Sequence, residues 1–289
     1  MNIIFEIKGG LGKSIMATAV LKALRKKYPK SFIIVVTEYV DVFVANPNCN
    51  KVLKQNQLTS VYKNYIEDKE CKVLVQDPYH TSDFITEKKH LIEIWCEMFG
   101  LKYEGEMPEL FFRKAEKEYF EPFYKSAKPI MVIHPNGGAF NQPLKYSWTR
   151  DIPTPIVEQV IDAFKDDYNI VHVKRKDQLT YNFTSQALDS IRSIAVLLMM
   201  SEKRLLIDSS TMHLATALNL PSSVAWVTTK PQVFGYDIHK NILANPHTAN
   251  YDLDHNNYQK YFLFQDISTI PYNNLNDVFD SNFIINSLK

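Results

Sequence analysis

The chain has 289 residues, 45% of them hydrophobic and 22% charged, a balance that excludes a disordered chain and leaves room for two cores of ordinary size. A formal net charge of +1 excludes a generally basic nucleic-acid binder, though not a local basic groove. No apolar run approaches a membrane span, and the opening MNIIFEIKGG lacks the basic start and cleavage site of a secretion signal, so a cytoplasmic protein is expected. Cys49, Cys71 and Cys96 are odd in number and far apart, which fits neither a disulfide framework nor a thiol metal knuckle.

Ile3 to Ile7 reads as a short buried strand, and Lys8-Gly9-Gly10-Leu11-Gly12-Lys13-Ser14 as a glycine-rich turn into a helix. On that helix Ile15, Ala19 and Ala23 form one row and Met16, Val20 and Leu24 the adjacent one. Pro29 ends the segment before a strand at Phe32 to Val36, so a strand-helix-strand unit and a parallel sheet are expected. The turn resembles the variant phosphate loop of ATPases that partition plasmids and position division sites. Val73 to Asp77 then stands where such an enzyme has an apolar strand ending in a magnesium-binding acid. An ordinary phosphate loop would need glycine at position 7, where this chain has Ile7.

A strand at Lys72 to Gln76 ends in Asp77-Pro78-Tyr79-His80, a pattern that also starts turns. Glu87 to Gly100 is helical, with Leu91, Ile94, Trp95, Met98 and Phe99 on a core face. The charged stretch Arg113 to Lys128 is broken by Pro122, and the link between domains falls near Ser126 to Pro129.

Ile130 to Ile133 opens a second sheet and runs into His134-Pro135-Asn136-Gly137-Gly138, where glycines let backbone approach a ligand. Lys145 follows before Trp148 as a candidate cation for a diphosphate, or as a plain surface lysine. A helix at Pro155 to Phe164 and a strand at Asn169 to Val173 lead to Lys174-Arg175-Lys176-Asp177. An apolar helix (Ile194 to Met200) and a strand (Arg204 to Ile207) then lead to Asp208-Ser209-Ser210-Thr211, which opens a second helix carrying His213. In a parallel sheet that turn lies beyond a strand's carboxyl end, where free N–H groups bind anions. Capping alone accounts for one or two of these residues and not for the whole row. Asp252-Leu253-Asp254-His255 contains an Asp-x-Asp pattern in a polar stretch away from any strand edge, and His239, His247 and His255 share no ligand spacing, so no metal is assigned.

The run IDSSTMHLATALNLPSSVAW followed by KPQVFGYDIHKNI, with ATAVLKALRKKYP, Asn46-Pro47-Asn48 and Lys51-Val52-Leu53 in the first half, resembles the heptosyltransferases, glycosyltransferase family 9. That resemblance implies an α/β chain of two facing Rossmann-like parallel-sheet domains, the GT-B fold, and an inverting transferase moving a sugar from a nucleoside diphosphate without a further cofactor. Residues 1–127 would form the acceptor side, with Lys8, Gly9, Gly10 and Gly12 in its loop, and 128–273 the donor side. The terminal helix (274–288) would pack back on the first domain. Donor contacts would fall to Asp208, Ser209, Ser210, Thr211, His213, Lys145, Arg175, Asn136 and Gly137.

Two positions depart from the family pattern. Ser210 stands where the family has glycine, and Lys13 where it has the aspartate proposed as base. A lysine ammonium has no lone pair to take a proton unless burial lowers its pKa strongly. Asp77 is the first replacement candidate and His80 the second. Lys8 and Lys13 make this side more positive, which suits an anionic acceptor such as a lipopolysaccharide core sugar or a nucleic acid. The alternatives are the ATPase reading and a non-catalytic sugar-nucleotide binder that has lost its base.

Overall fold

Ile33, Ile34, Val35 and Val36 are fully buried, as a run of branched residues is when a parallel strand is covered on both faces. In the computed structural model, which describes residues 1–86, 88–137, 148–249 and 271–289, this run belongs to β2 (Phe32–Thr37) of a four-stranded sheet. Its companions are β1 (Asn2–Ile7), β3 (Lys51–Leu53) and β4 (Cys71–Leu74), all parallel, in the order β3-β2-β1-β4. β4 is shorter than the sequence implies: its ladder with β1 ends where Leu74 meets Phe5, and Val75 and Gln76 leave the sheet ahead of Asp77.

The second sheet comprises β5 (Ile130–Ile133), β6 (Asn169–His172), β7 (Thr184–Gln186), β8 (Ser201–Ile207), β9 (Ser223–Trp226) and β10 (Lys240–Leu243). All pairs are parallel and the order is β7-β6-β5-β8-β9-β10, the doubly wound arrangement of dinucleotide-binding domains. Each sheet reverses its strand order once, the first between β1 and β4 and the second between β5 and β8. At such a point successive connections leave toward opposite faces and open a crevice beyond the carboxyl ends of the strands.

Seven helices of seven residues or more surround the sheets among the described residues: α1 (Leu11–Lys27), α2 (Leu91–Met98), α3 (Lys114–Phe120), α4 (Thr154–Phe164), α5 (Ile191–Met200), α6 (Ser210–Ala217) and α7 (Ser281–Leu288). α1 is buried without a gap from Lys13 to Leu21, because it packs on the first sheet and also on α6 of the second half. Its small residues, Ala17, Ala19 and Ala23, permit that double contact. A single apolar cluster therefore runs from Phe5, Ile15 and Trp95 to Leu197, Met212 and Trp226.

The expected core face of α2 is present, with Leu91, Ile94 and Trp95 buried; the helix starts at Leu91, and Glu87 lies outside the described residues. Arg192 of α5 ties the halves together behind the cleft. Its guanidinium meets Glu116 of α3 at 2.9 Å and Phe111 O at 2.5 Å and lies 3.9 Å from the Phe112 ring centre.

The expected return of the terminal helix to the first domain is not what the structure shows. Ile284 and Leu288 of α7 are buried with Val157, Ile161 and Leu205 of the second half, and Ser287 Oγ lies 2.8 Å from Ser223 Oγ. The reason lies in the narrow apolar row. Ile284 and Leu288, one turn apart, fill a groove beside α4, β8 and β9, while Phe283 stays exposed with the Lys240 ammonium over its ring. Among the described residues no helix is long and apolar enough to cross a membrane.

Candidate active site

The order reversal of the first sheet sets the loop after β1 beside the segment after β4. Gly9 turns this loop at φ +105°, a conformation that L side chains rarely adopt. Gly10 then enters α1 with extended backbone. Lys8 points outward near Glu6, at 3.6 Å, whereas Lys13 folds inward and is only 5% exposed. Its Nζ donates to Asp77 Oδ2 at 2.6 Å and lies 4.9 Å and 5.4 Å from the ring centres of Tyr79 and Trp95. Burial pushes the Lys13 pKa down and the Asp77 contact opposes it. Asp77 Oδ1 accepts the Tyr79 N–H at 3.0 Å. Asp77 is thus held from two sides, and each carboxylate oxygen keeps a lone pair for a further donor. His80 is exposed on the same short turn, where its backbone N–H donates to Asp77 O at 3.2 Å.

The second reversal sets His134 to Gly137, after β5, beside Asp208 to Thr211, after β8. Ser209 caps α6 with extended backbone, yet its hydroxyl takes no part in the cap. The N–H groups of Ser210 and Thr211, in the first turn, have no carbonyl within the helix to bond. The hydroxyl of Thr211 is not available as expected. It is buried against His134 Nδ1, so Thr211 offers only its N–H group. Burial pushes the His134 imidazole down to about 4. Asp208 is buried with Arg150 Nε 4.0 Å away, a cation the sequence reading passed over.

Asp151, also unforeseen, holds the opposite wall. Its carboxylate accepts the Gly137 N–H at 2.7 Å and the Asn136 amide at 3.1 Å. Gln178 donates to Gly137 O at 3.1 Å and accepts the Arg175 N–H at 2.9 Å, which brings the Arg175 loop to this wall. The Arg175 guanidinium is paired with Asp177 at 2.9 Å. Lys145 and the Asp252 to His255 stretch lie outside the described residues. Among the described residues no group of three or more His, Cys, Asp or Glu side chains is placed to hold a metal ion.

The two crevices meet at Gly12 and His213. A Cβ on Gly12 would lie 2.9 Å from His213 Cδ2, closer than real Cβ atoms approach. His213 Nδ1 lies 2.8 Å from the Tyr236 hydroxyl, and burial pushes its pKa down to about 3. Tyr236 in turn packs 5.3 Å from the His90 ring, and Phe234 packs 5.9 Å from Phe84, so α6 and its sequel are stitched to the first domain. His213 thus joins the domains at the floor of the cleft. Gly12→Val is expected to force the halves apart and lower stability by about 1–3 kcal/mol, with Gly12→Ala milder. Thermal unfolding of the two variants checks this.

Two doubly wound sheets with their switch points facing one another make this a GT-B fold. No family model matches the chain, and no curated protein sequence matches it. Among solved structures it is similar to a glycosyl transferase family 9 protein from Veillonella parvula, with 15% identity over 99% of this chain and 95% of that one at a TM-score of 0.69. It is also similar to the ADP-heptose lipopolysaccharide heptosyltransferase II of E. coli, at 16% identity, 84% and 90% coverage and a TM-score of 0.62. A third similar structure is E. coli heptosyltransferase WaaC with ADP, at 11% identity, 91% and 99% coverage and a TM-score of 0.56.

Proposed function

We propose that this chain is an inverting glycosyltransferase that moves a sugar from a nucleoside diphosphate to an acceptor hydroxyl. The observation that carries the reading is the Lys13–Asp77 pair of the first sheet, set across the Gly12–His213 contact from the open first turn of α6. Residues 1–127 receive the acceptor and 128–273 the donor. ADP, the nucleotide bound to the similar WaaC structure, is the first to try.

In this reading Asp77 takes the proton of the acceptor hydroxyl as its oxygen bonds to the anomeric carbon, and the bond from that carbon to the diphosphate breaks on the opposite side. Lys13 fixes the carboxylate in place. Charge developing on the leaving diphosphate is met by the N–H groups of Ser210 and Thr211, the hydroxyls of Ser209 and Ser210, and the Arg150 guanidinium, with Lys145 as a further cation. His134, His213 and Asp208 shape this end of α6 from behind.

The rival ATPase reading needs the Lys13 ammonium to reach a nucleotide phosphate. Here it is turned to Asp77, and Gly12 abuts His213 where a phosphate cradle would open. A thermal-shift panel of ADP, UDP, GDP, CMP and dTDP against ATP with magnesium separates the readings. One diphosphate at a hundred times its dissociation constant is expected to stabilise the fold by about 2.7 kcal/mol. A shift only with ATP and magnesium, lost in Lys13→Ala, would establish the ATPase instead, and a diphosphate shift without turnover would leave a binding protein.

A further inference from the structure

Lys13 carries a positive charge into the interior with few polar groups to answer it. It is almost fully buried, and among the described residues Asp77 is its one hydrogen-bond acceptor, a single carboxylate for an ammonium with three N–H groups. Burial of this kind drives a lysine toward losing its proton. The rest of the ammonium is met by rings. The centres of Tyr79 and Trp95 both lie within the range of about 6 Å over which the negative face of a ring attracts a cation. Gly9 closes the remaining side, since a Cβ there would lie 3.1 Å from Lys13 Cδ. One carboxylate, two rings and a bare stretch of backbone therefore cage the lysine.

The two rings are held differently. Trp95 is buried inside the first half, its ring 5.6 Å from that of Phe5. Tyr79 is half-buried where the halves meet. Its ring lies 4.7 Å from that of Phe84 and 6.3 Å from that of Phe234, which belongs to the short helical turn Pro231–Phe234 after β9 of the second half. The turn that carries Tyr79, Pro78–His80, is capped by Asp77 itself through Oδ1. One carboxylate thus starts this turn with one oxygen and holds Lys13 with the other, and the turn brings a ring back over the ammonium. The three residues fix one another, and Phe234 packs on the third from the other half.

We infer that Tyr79 is a positioning residue: its ring holds the Lys13 ammonium on Asp77, and Phe234 lets the second half set the place of that ring. The cage stands apart from the transferase reading. Its consequence for catalysis, that it keeps the carboxylate aimed at the acceptor hydroxyl, rests on that reading.

A double-variant cycle over Lys13 and Tyr79, followed by steady-state kinetics and by urea unfolding, tests the inference. Tyr79→Leu keeps apolar bulk and removes the ring face, so kcat is expected to fall about tenfold while the KM values for donor and acceptor stay near those of the parent. Tyr79→Phe, which keeps the ring, should restore most of that loss. With Lys13→Met there is no cation to hold, and Tyr79→Leu should then change kcat by less than about twofold. In the same way Tyr79→Leu should raise the unfolding constant about tenfold more beside Lys13 than beside Met at that position. Phe234→Leu should lower kcat in the parent and have no further effect in Tyr79→Leu. Equal falls in both backgrounds of either pair would make the contact mere packing and overturn the proposal, as would an unfolding cycle without coupling. A raised acceptor KM at constant kcat would also overturn it and assign the ring to the acceptor sugar. Coupling in unfolding without transfer from any donor would support the cage and overturn the transferase reading, so the two failures are read apart.

Discussion

Asp77→Asn is expected to lower sugar transfer by about 10²–10⁴-fold, the range for loss of a general base, while the nucleotide-induced thermal shift persists. One complication is built into the site. Lys13 is buried and its ammonium is answered by Asp77 at 2.6 Å, so removing the carboxylate leaves a poorly compensated buried charge, an effect of up to about 3–5 kcal/mol. Lost activity alone would not tell a base from a counter-ion. The double variant Lys13→Met with Asp77→Asn removes the charge as well as the carboxylate and should recover most of the stability. If Asp77 is the base, that stable protein stays inactive; if the pair is only structural, activity returns with the fold. Exchange is the sharper test. Lys13→Asp with Asp77→Lys keeps the pair and puts the acid where the heptosyltransferase pattern has it. Partial recovery of kcat over Asp77→Asn would mean that the acid works from either side of this crevice, whereas a folded, inactive exchange variant would tie catalysis to position 77.

The exchange was half legible in the sequence. A lysine where the resemblance implies an acid, and an acid at the end of a strand that must border the same crevice, were both visible. Their pairing was not, because 64 positions separate them and only the placement of β4 next to β1 brings them together. The inner strands of both sheets were readable because parallel strands buried on both faces are continuous apolar runs; the short, partly exposed strands β3, β7 and β10 carry no such run and were not read, and the strand order, which creates the two crevices, leaves no such mark. α1 shows the opposite problem. Its two apolar rows were read correctly as far as they went, but Ser14 and Thr18 are also buried, Ser14 with its hydroxyl 3.4 Å from that of Thr37 on β2 and Thr18 accepting the Glu109 N–H at 2.8 Å. The terminal helix is shorter than the expected 274–288, running only over Ser281–Leu288, and the assignment of its partner came from the resemblance and failed. Arg150, Asp151 and Arg192 had no local signal, as each works through residues distant in sequence.

Stability is expected to fall steeply as the pH is lowered through the range in which free histidine titrates. Burial pushes five imidazoles down, His90, His134 and His239 to about 4 and His172 and His213 to about 3. In the unfolded chain each titrates near its ordinary value of about 6.5. The folded state therefore holds fewer protons than the unfolded state below that value, and acid favours unfolding. This contribution is fully present above about pH 6.5 and is lost progressively toward the native values near 3 and 4. Near pH 5 each such histidine has forfeited about 2 kcal/mol, and five together match the whole stability of about 5–15 kcal/mol of an ordinary domain. Urea unfolding from about pH 8 downward should show a loss that steepens below pH 6.5; a flat profile down to about pH 5.5 would mean that the imidazoles are not buried as described. His172 gives the cleanest single-site check, since it is fully buried and neither ring nitrogen has a hydrogen-bond partner among the described residues. His172→Phe should flatten the acid limb by one proton with little change near about pH 8. The same titrations bear on the site. His134 and His213 stay neutral for as long as the fold survives, so acid should end donor binding by unfolding the chain rather than by charging the end of α6.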